Sequence, residues 1–386
     1  MAARGGQEKR GIAVLYKQLG KTDVKLSAVS FGSMRWMTEQ DAYAMIQHGL
    51  DVGMNYIDTS TGYRGGLSEV WSGAAVKKRR SEIYFSAKSN WAAAPTADAV
   101  RKAIDGSLAK TGLDYFDFYQ IWGLQNDQTV GQALAKGGTV EGIRKAQAEG
   151  LIRHGLGFTF HGTPEQFKAA VDSGEFCSAT VSYSLINRKE EELIDYAAQR
   201  GVGIIVMNPL AGGVLALANN PELAFLREGG HQPSYAALRF LHANPGITSA
   251  IIGLMYDFEI DEALASTQGA ESLGEAYRQE LIGKLSSAQP TVQGTFCTGC
   301  GYCKECPQGY TPNKLMQALR DAAMYHVPEE TFRHFIESRF AHSDATAELA
   351  KCTECGQCQL KCPQHLEIVQ EIQRVKGEFR KVGRKV

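Results

Sequence analysis

The sequence predicts an α/β fold: a closed (β/α)8 TIM barrel with an N-terminal β-hairpin, followed by a C-terminal, mainly helical, cysteine-rich module. Three observations carry that expectation. Short apolar, β-prone segments alternate with segments of helical periodicity along the first 285 residues. No Gly-x-Gly-x-x-Gly follows the first predicted strand, so the runner-up, an open doubly wound sheet, lacks its phosphate-binding turn. The 386 residues exceed one ordinary domain and suit a barrel of about 250 residues plus an extension. The expected division is a barrel over residues 1–285 and a second domain over 286–386.

The hairpin is expected over residues 14–19 and 24–26, around the turn Gly20-Lys21-Thr22-Asp23. Strand one follows over 28–31 and ends at Gly32-Ser33; a helix over 41–52 stops at Gly53. Strand two is 56–58, with a helix over 67–78. Strand three is 83–87, and its helix, 96–110, starts after Pro95 and stops at Gly112. Strand four, 116–121, leads through a long loop to a helix over 139–148. Strand five is 154–158; its helix opens with Thr163-Pro164-Glu165-Gln166, a capping box with Pro at the first helical position. Strands six, seven and eight are 179–182, 203–207 and 249–252, with helices over 189–200, 233–243 and 257–266. A further helix, 271–285, precedes a polar linker at 286–294.

Two groups of residues carry chemistry. Asp58 closes strand two, Tyr63 stands in the loop after it, and Lys88 ends strand three. In a parallel barrel the C-terminal ends of the strands form the face where chemistry is built. A phenol beside an ammonium is a proton donor whose pKa the cation draws down. The alternative is a solvent-facing Asp and a packing Tyr. The second group is cysteine. Eight of nine cysteines fall in two runs, Cys297-x2-Cys300-x2-Cys303-x2-Cys306-Pro307 and Cys352-x2-Cys355-x2-Cys358-x3-Cys362-Pro363, and Cys177 stands alone. The repeat is of the bacterial ferredoxin kind, in which the Cys before Pro serves the other cluster. It predicts two [4Fe–4S] clusters, one on Cys297, Cys300, Cys303 and Cys362, the other on Cys352, Cys355, Cys358 and Cys306. Zinc usually takes separated ligand pairs and gives the prolines no role.

A net charge of −1 gives no general reason to bind nucleic acid. The basic end, Arg374 to Lys385, reads as a solvated helix end. No apolar run nears the length of about 18 residues that spans a bilayer, and the polar start MAARGGQEKR lacks a signal peptide's apolar core. A cytoplasmic location is expected.

The chain resembles the aldo-keto reductases, and within them a bacterial branch with a C-terminal two-cluster extension. The resemblance rests on Phe31-Gly32-Ser33-Met34, Asp58-Thr59-Ser60-x-x-Tyr63 with Ser68-Glu69, Ala87-Lys88, Asp117-Phe118-Tyr119-Gln120-Ile121, Gly157-Phe158-Thr159-Phe160-His161-Gly162 and Asn208-Pro209-Leu210-Ala211-Gly212-Gly213. It implies that Tyr63 is the acid, that Lys88 tunes it and that Asp58 orients Lys88. It also implies a nicotinamide cofactor, NAD(P), held by Gly32, Ser33, Asp58, Thr159, Ser184, Pro209, Leu210, Gly212 and Gly253. The sequence departs from the family in three places. Trp122 stands where the family has its His, and indole donates but cannot relay a proton. Thr159, Phe160 and Thr180 replace the carboxamide-binding Ser, Asn and Gln. Residues 253–263 lack the Lys or Arg that a 2′-phosphate needs, and Ala263 stands where an adenine-binding Asn is expected.

Trp36, Trp91 and Trp122 all fall at or just past predicted strand ends, which suggests an aromatic-walled pocket for a flat or sugar-like small molecule. Filling and loop support is the alternative. The leading function is an oxidoreductase acting on a small organic carbonyl, sugar-like or aromatic substrate, with the clusters structural or relaying electrons. One competitor is a nicotinamide-independent reduction, elimination or isomerisation fed by the clusters from a ferredoxin-type partner. The other is a non-catalytic electron-transfer or assembly subunit.

Overall fold

The computed structural model describes residues 13–124, 127–217, 221–287, 297–324, 327–340, 344–362 and 364–380. A two-stranded antiparallel hairpin comes first, β1 (Tyr16–Gln18) and β2 (Lys25–Ser27). Eight parallel strands then close into a barrel: β3 (Val29–Gly32), β4 (Tyr56–Asp58), β5 (Tyr84–Asn90), β6 (Phe116–Leu124), β7 (Ile152–Phe160), β8 (Ser178–Ser182), β9 (Gly203–Met207) and β10 (Ile247–Ile252). They pair in chain order, and β10 closes the ring on β3, with Ile252 opposite Phe31.

The strands are continuous apolar runs because both their faces are covered, one by helices and one by the packed barrel interior. Every residue of β4, β8 and β10 is buried. The helices follow their sequence signals. Thr38 and Asp41 form a reciprocal capping box ahead of Glu39–Asp51, which buries Ala42, Met45, Ile46 and Leu50 against the barrel. Gln166 Oε1 accepts from the Thr163 amide at 2.9 Å, closing the capping box ahead of Pro164–Asp172.

The hairpin plugs the N-terminal end. Leu19, Val24 and Leu26 pack on Tyr56, Phe118, Ile205 and Ile251 from the barrel interior. Gly20 makes this closeness possible: at φ +54° it accepts a backbone form that strains other residues, and a Cβ there would lie 2.3 Å from the Gly201 carbonyl oxygen. The opposite, C-terminal mouth stays open.

Three strands outrun their predicted ends. β5 continues to Asn90, β6 to Leu124 and β7 to Phe160. Lys88 and Trp122 are therefore strand residues, and strand alternation decides where their side chains point.

The C-terminal module is helical, with Pro312–Met324, Glu329–Ser338, Ala345–Ala350, Gln357–Leu360 and Ile368–Arg380. Its own core holds Leu315, Ile336, Phe340, Leu349, Ile372 and Phe379 beside Cys297 and Cys303. Beyond Ser287 the expected linker lies outside the described residues, as do residues 381–386 of the basic end. Lys376 of that end is buried, not solvated: its ammonium donates to the Cys352 carbonyl at 3.1 Å. Among the described residues no helix is long and apolar enough to cross a membrane.

Candidate active site

Asp58, the last residue of β4, is buried and fully engaged. Lys88 Nζ donates to its Oδ1 in a short, buried ion pair. Gln120 Nε2 donates to its Oδ2 at 2.7 Å and also reaches Ser86 Oγ at 2.9 Å. Gln120 Oε1 in turn accepts from Thr180 Oγ1 at 2.7 Å. The relay thus crosses β4, β5, β6 and β8, and parallel register brings it together: Asp58 lies opposite Ser86, and Lys88 opposite Gln120. A buried pair of opposite charges needs such extra hydrogen bonds to hold its geometry. Ser33 adds a hydrogen bond from its Oγ to the Asp58 carbonyl at 2.7 Å.

Tyr63 opens the short helical turn Tyr63–Gly66, and the Lys88 ammonium lies 4.7 Å from its ring centroid. Arg64, next to it, holds φ +52°. All five non-glycine residues with positive φ among those described fall at two places: Arg64, Asn208 and Ala211 at the barrel mouth, Glu354 and His365 beside cysteines. Strain of this kind concentrates where function over-determines the backbone.

The expected electrostatics differ in one respect. The Tyr63 pKa is not lowered. Burial of the hydroxyl raises it well above its ordinary value, and the charges of Asp58 and Cys300 push the same way; burial outweighs the charge of Lys88, which is paired with Asp58. Tyr63 is a neutral phenol with its proton held.

A cavity of about 770 Å³ fills the mouth. Seven of the nine residues expected to hold a nicotinamide line it: Gly32, Ser33, Asp58, Pro209, Leu210, Gly212 and Gly253. Thr159 and Ser184 do not. Thr159 Oγ1 is enclosed and unpartnered, and Ser184 Oγ accepts from the Asn187 amide at 3.2 Å. Toward Phe258 the cavity wall carries Glu259 and Glu262. Glu259 caps the amides of Met255 and Tyr256 at 2.6 and 3.0 Å, and Glu262 takes the Gln232 amide at 2.7 Å. These carboxylates oppose a 2′-phosphate. Arg35 is a cation that the sequence reading missed; it stands on the cavity wall and donates to the Thr298 carbonyl at 3.0 Å. A dinucleotide fits this cavity, and the poorest match is at the carboxamide positions.

None of the three tryptophans lines the cavity. Trp36 is 1% exposed, and its indole N–H donates to the Leu254 carbonyl at 3.1 Å, tying the loop after β3 to the end of β10. Trp91 packs against the barrel core with its N–H enclosed and unpartnered. Trp122 is covered by Tyr302, ring centroids 5.3 Å apart. Two aromatics that sequence spacing did not single out line the cavity instead, Tyr302 and His161. His161 Nε2 is enclosed without a partner, and burial, with His365 and Lys88 adding positive charge, lowers its pKa to about 4.

Cys297, Cys300, Cys303 and Cys362 lie within electrostatic reach of one another, as do Cys358, Cys352 and Cys306. Cys306, Cys352, Cys355 and Cys358 surround one hollow. Four cysteines in each set match the four iron corners of a [4Fe–4S] cube, each of which takes one thiolate.

Barrel and site together define an oxidoreductase with its chemistry at the C-terminal mouth. Residues 28–271 match the aldo/keto reductase family and residues 296–367 the 4Fe-4S dicluster domain. The chain belongs to the aldo/keto reductase family and carries a C-terminal 4Fe-4S domain. It is 28% identical to an L-galactose dehydrogenase of Arabidopsis thaliana, over 73% of this chain and 97% of that one. It is 27% identical to an NADH-specific methylglyoxal reductase of Escherichia coli (strain K12), over 51% of this chain and 68% of that one. The holo form of an aldo-keto reductase from Bacillus halodurans superposes with a TM-score of 0.60 at 26% identity, covering 72% of this chain and 97% of that one.

Proposed function

We propose that the protein interconverts a carbonyl and an alcohol on a small organic substrate, sugar-like or dicarbonyl, with Tyr63 as proton donor in reduction and acceptor in oxidation. The single observation that carries this reading is that Asp58 and Tyr63 share one cavity wall while Lys88 pairs with Asp58 and lies 4.7 Å from the Tyr63 ring centroid. A nicotinamide, when bound, supplies or accepts hydride. The alkoxide that forms at the substrate oxygen is far more basic than a phenolate, so a phenol with a raised pKa still transfers its proton downhill. Lys88, beside the Tyr63 ring, steadies the phenolate left behind, and Asp58, held by Gln120, fixes Lys88. Glu259 and Glu262 favour NAD over NADP. The relatives that act on L-galactose and methylglyoxal supply the first substrates to try.

In this reading the module holds two [4Fe–4S] clusters, on Cys297, Cys300, Cys303 and Cys362 and on Cys306, Cys352, Cys355 and Cys358. A second reading has electrons reach the barrel from a redox partner through the clusters. It is favoured by Cys300, which lines the same cavity as Asp58 and Tyr63.

The test is anaerobic assay with NADH and methylglyoxal and with NAD and L-galactose. Tyr63→Phe should lower kcat by about 10²–10⁴-fold with iron content unchanged, the range for a lost general acid. Full turnover by that variant sinks the assignment. Reduction only by a low-potential donor, with no response to NADH or NADPH, selects the second reading.

A further inference from the structure

The cavity is not made by the barrel alone. Thr298, Cys300, Tyr302 and Gln364 of the iron–sulfur module share its wall with Asp58 and Tyr63. Their seat on the barrel is specific. Arg35 holds the Thr298 carbonyl at 3.0 Å. Gln364 donates to Ser182 Oγ and accepts from Asn187 Nδ2, each at 3.2 Å. Gly212, at φ +71°, leaves the space the loop occupies: a Cβ there would lie 2.3 Å from the Thr298 carbonyl oxygen. Tyr302 is wedged by two rings of the barrel, Trp122 at 5.3 Å and His161, edge-on, at 5.8 Å. Its hydroxyl has no hydrogen-bond partner among the described residues, and it is not one of the enclosed polar atoms. It therefore opens on the cavity.

We infer that Tyr302 is a catalytic residue contributed by the iron–sulfur module, a second phenolic donor that hydrogen-bonds the substrate oxygen on which Tyr63 acts. Trp122 does not line the cavity, and its indole N–H is enclosed. Two donors aimed at one oxygen stabilise the charge that develops there more than either alone. The ring itself closes the pocket on that side, so Tyr302 also limits substrate size. The inference rests on the carbonyl–alcohol reading of the site. It gives the module a task in the barrel's chemistry that holds whether or not electrons pass through it.

Two variants separate the hydroxyl from the ring. Tyr302→Phe keeps the wall and removes the donor; Tyr302→Ala removes both. The probes are methylglyoxal with NADH for turnover, and L-galactose added to the enzyme without nucleotide for binding. With no hydride donor or acceptor present the second mixture does not turn over, so tryptophan fluorescence reports an equilibrium Kd. Tyr302→Phe should lower kcat for methylglyoxal on the order of a hundredfold, as loss of one oxyanion donor does, with a small change in Kd. Tyr302→Ala should add a weakening of L-galactose binding of roughly tenfold, the effect of losing a contact worth about 1.4 kcal/mol. NADH affinity, iron content and the visible cluster absorption should match wild type in Tyr302→Phe. Both variants matching wild type in kcat and Kd overturns the role of Tyr302 alone. A wild type inert toward both probes overturns the reading of the site and this inference with it, before any variant is made.

Discussion

The two cysteine runs share one spacing logic and sit in opposite surroundings. Cys297 and Cys303 of the inner quartet are only 9% and 8% exposed, and Cys300 forms part of the catalytic cavity wall. In the outer quartet Cys355 is exposed, and Leu360, between Cys358 and Cys362 in the chain, is 83% exposed. Tyr310, buried, lies within electrostatic reach of Cys303 on one side and of Cys352 and Cys358 on the other. The inner quartet is therefore placed to shape the site, and the outer one to meet solvent or a partner. An internal repeat has been divided by its docking on the barrel: among the described residues the first run's loop meets Arg35, Gly212 and the cavity, and the second run reaches the cavity through Gln364.

The largest expected effect tests that division directly. Cys300→Ser should loosen the loop that carries Tyr302 and lower kcat/KM on the order of 10²-fold, the scale of a small misplacement at a reacting centre. Cys355→Ser should also lower iron content, yet leave carbonyl turnover near wild type. Iron analysis and kinetics on the same anaerobic preparations provide the check. Equal kinetic losses in the two variants would break the comparison.

A smaller effect sharpens it from the barrel side. Gln120 does not line the cavity; it donates to Asp58 and Ser86 and accepts from Thr180. Gln120→Leu removes a hydrogen bond to a buried carboxylate, worth about 1.5–3 kcal/mol, so kcat should fall roughly tenfold to a hundredfold. KM and iron content should not move. A matching rise in KM would mean that Gln120 shapes the pocket and not the ion pair.

Much of this was legible in the sequence. Strand–helix alternation placed all eight barrel strands, because each strand is short, apolar and bounded by turn residues. The thiolate runs announced the 4Fe-4S domain, because a cluster demands fixed local spacing. What spacing cannot show is which side chains meet across the fold. The tryptophans were placed by their position past strand ends. Trp36 was spent instead on tying the β3 loop to Leu254, and Trp122 was covered by Tyr302. Gln120 stood in a quoted motif, but its role appears only when parallel register sets it opposite Lys88. Tyr302 lies between two cysteines and reads locally as part of a cluster loop. Only the docking of the module on the barrel mouth brings it to Tyr63.

The Tyr63 proton gives the most delicate comparison, because burial at the mouth, with the Asp58 charge, sets it. Its pKa lies well above the ordinary phenol value of about 10. A donor so raised stays protonated through neutral and alkaline pH. In the reducing direction kcat should therefore show no alkaline decline from this group up to about pH 10. Oxidation needs the deprotonated form, so its rate should climb with pH over the same range without reaching a plateau. A phenol lowered by Lys88 would give the reverse pair of profiles, with reduction falling and oxidation levelling off below pH 9. Measuring both directions on one preparation removes cluster loss as an explanation, since lost iron would depress both together while the raised phenol moves them apart.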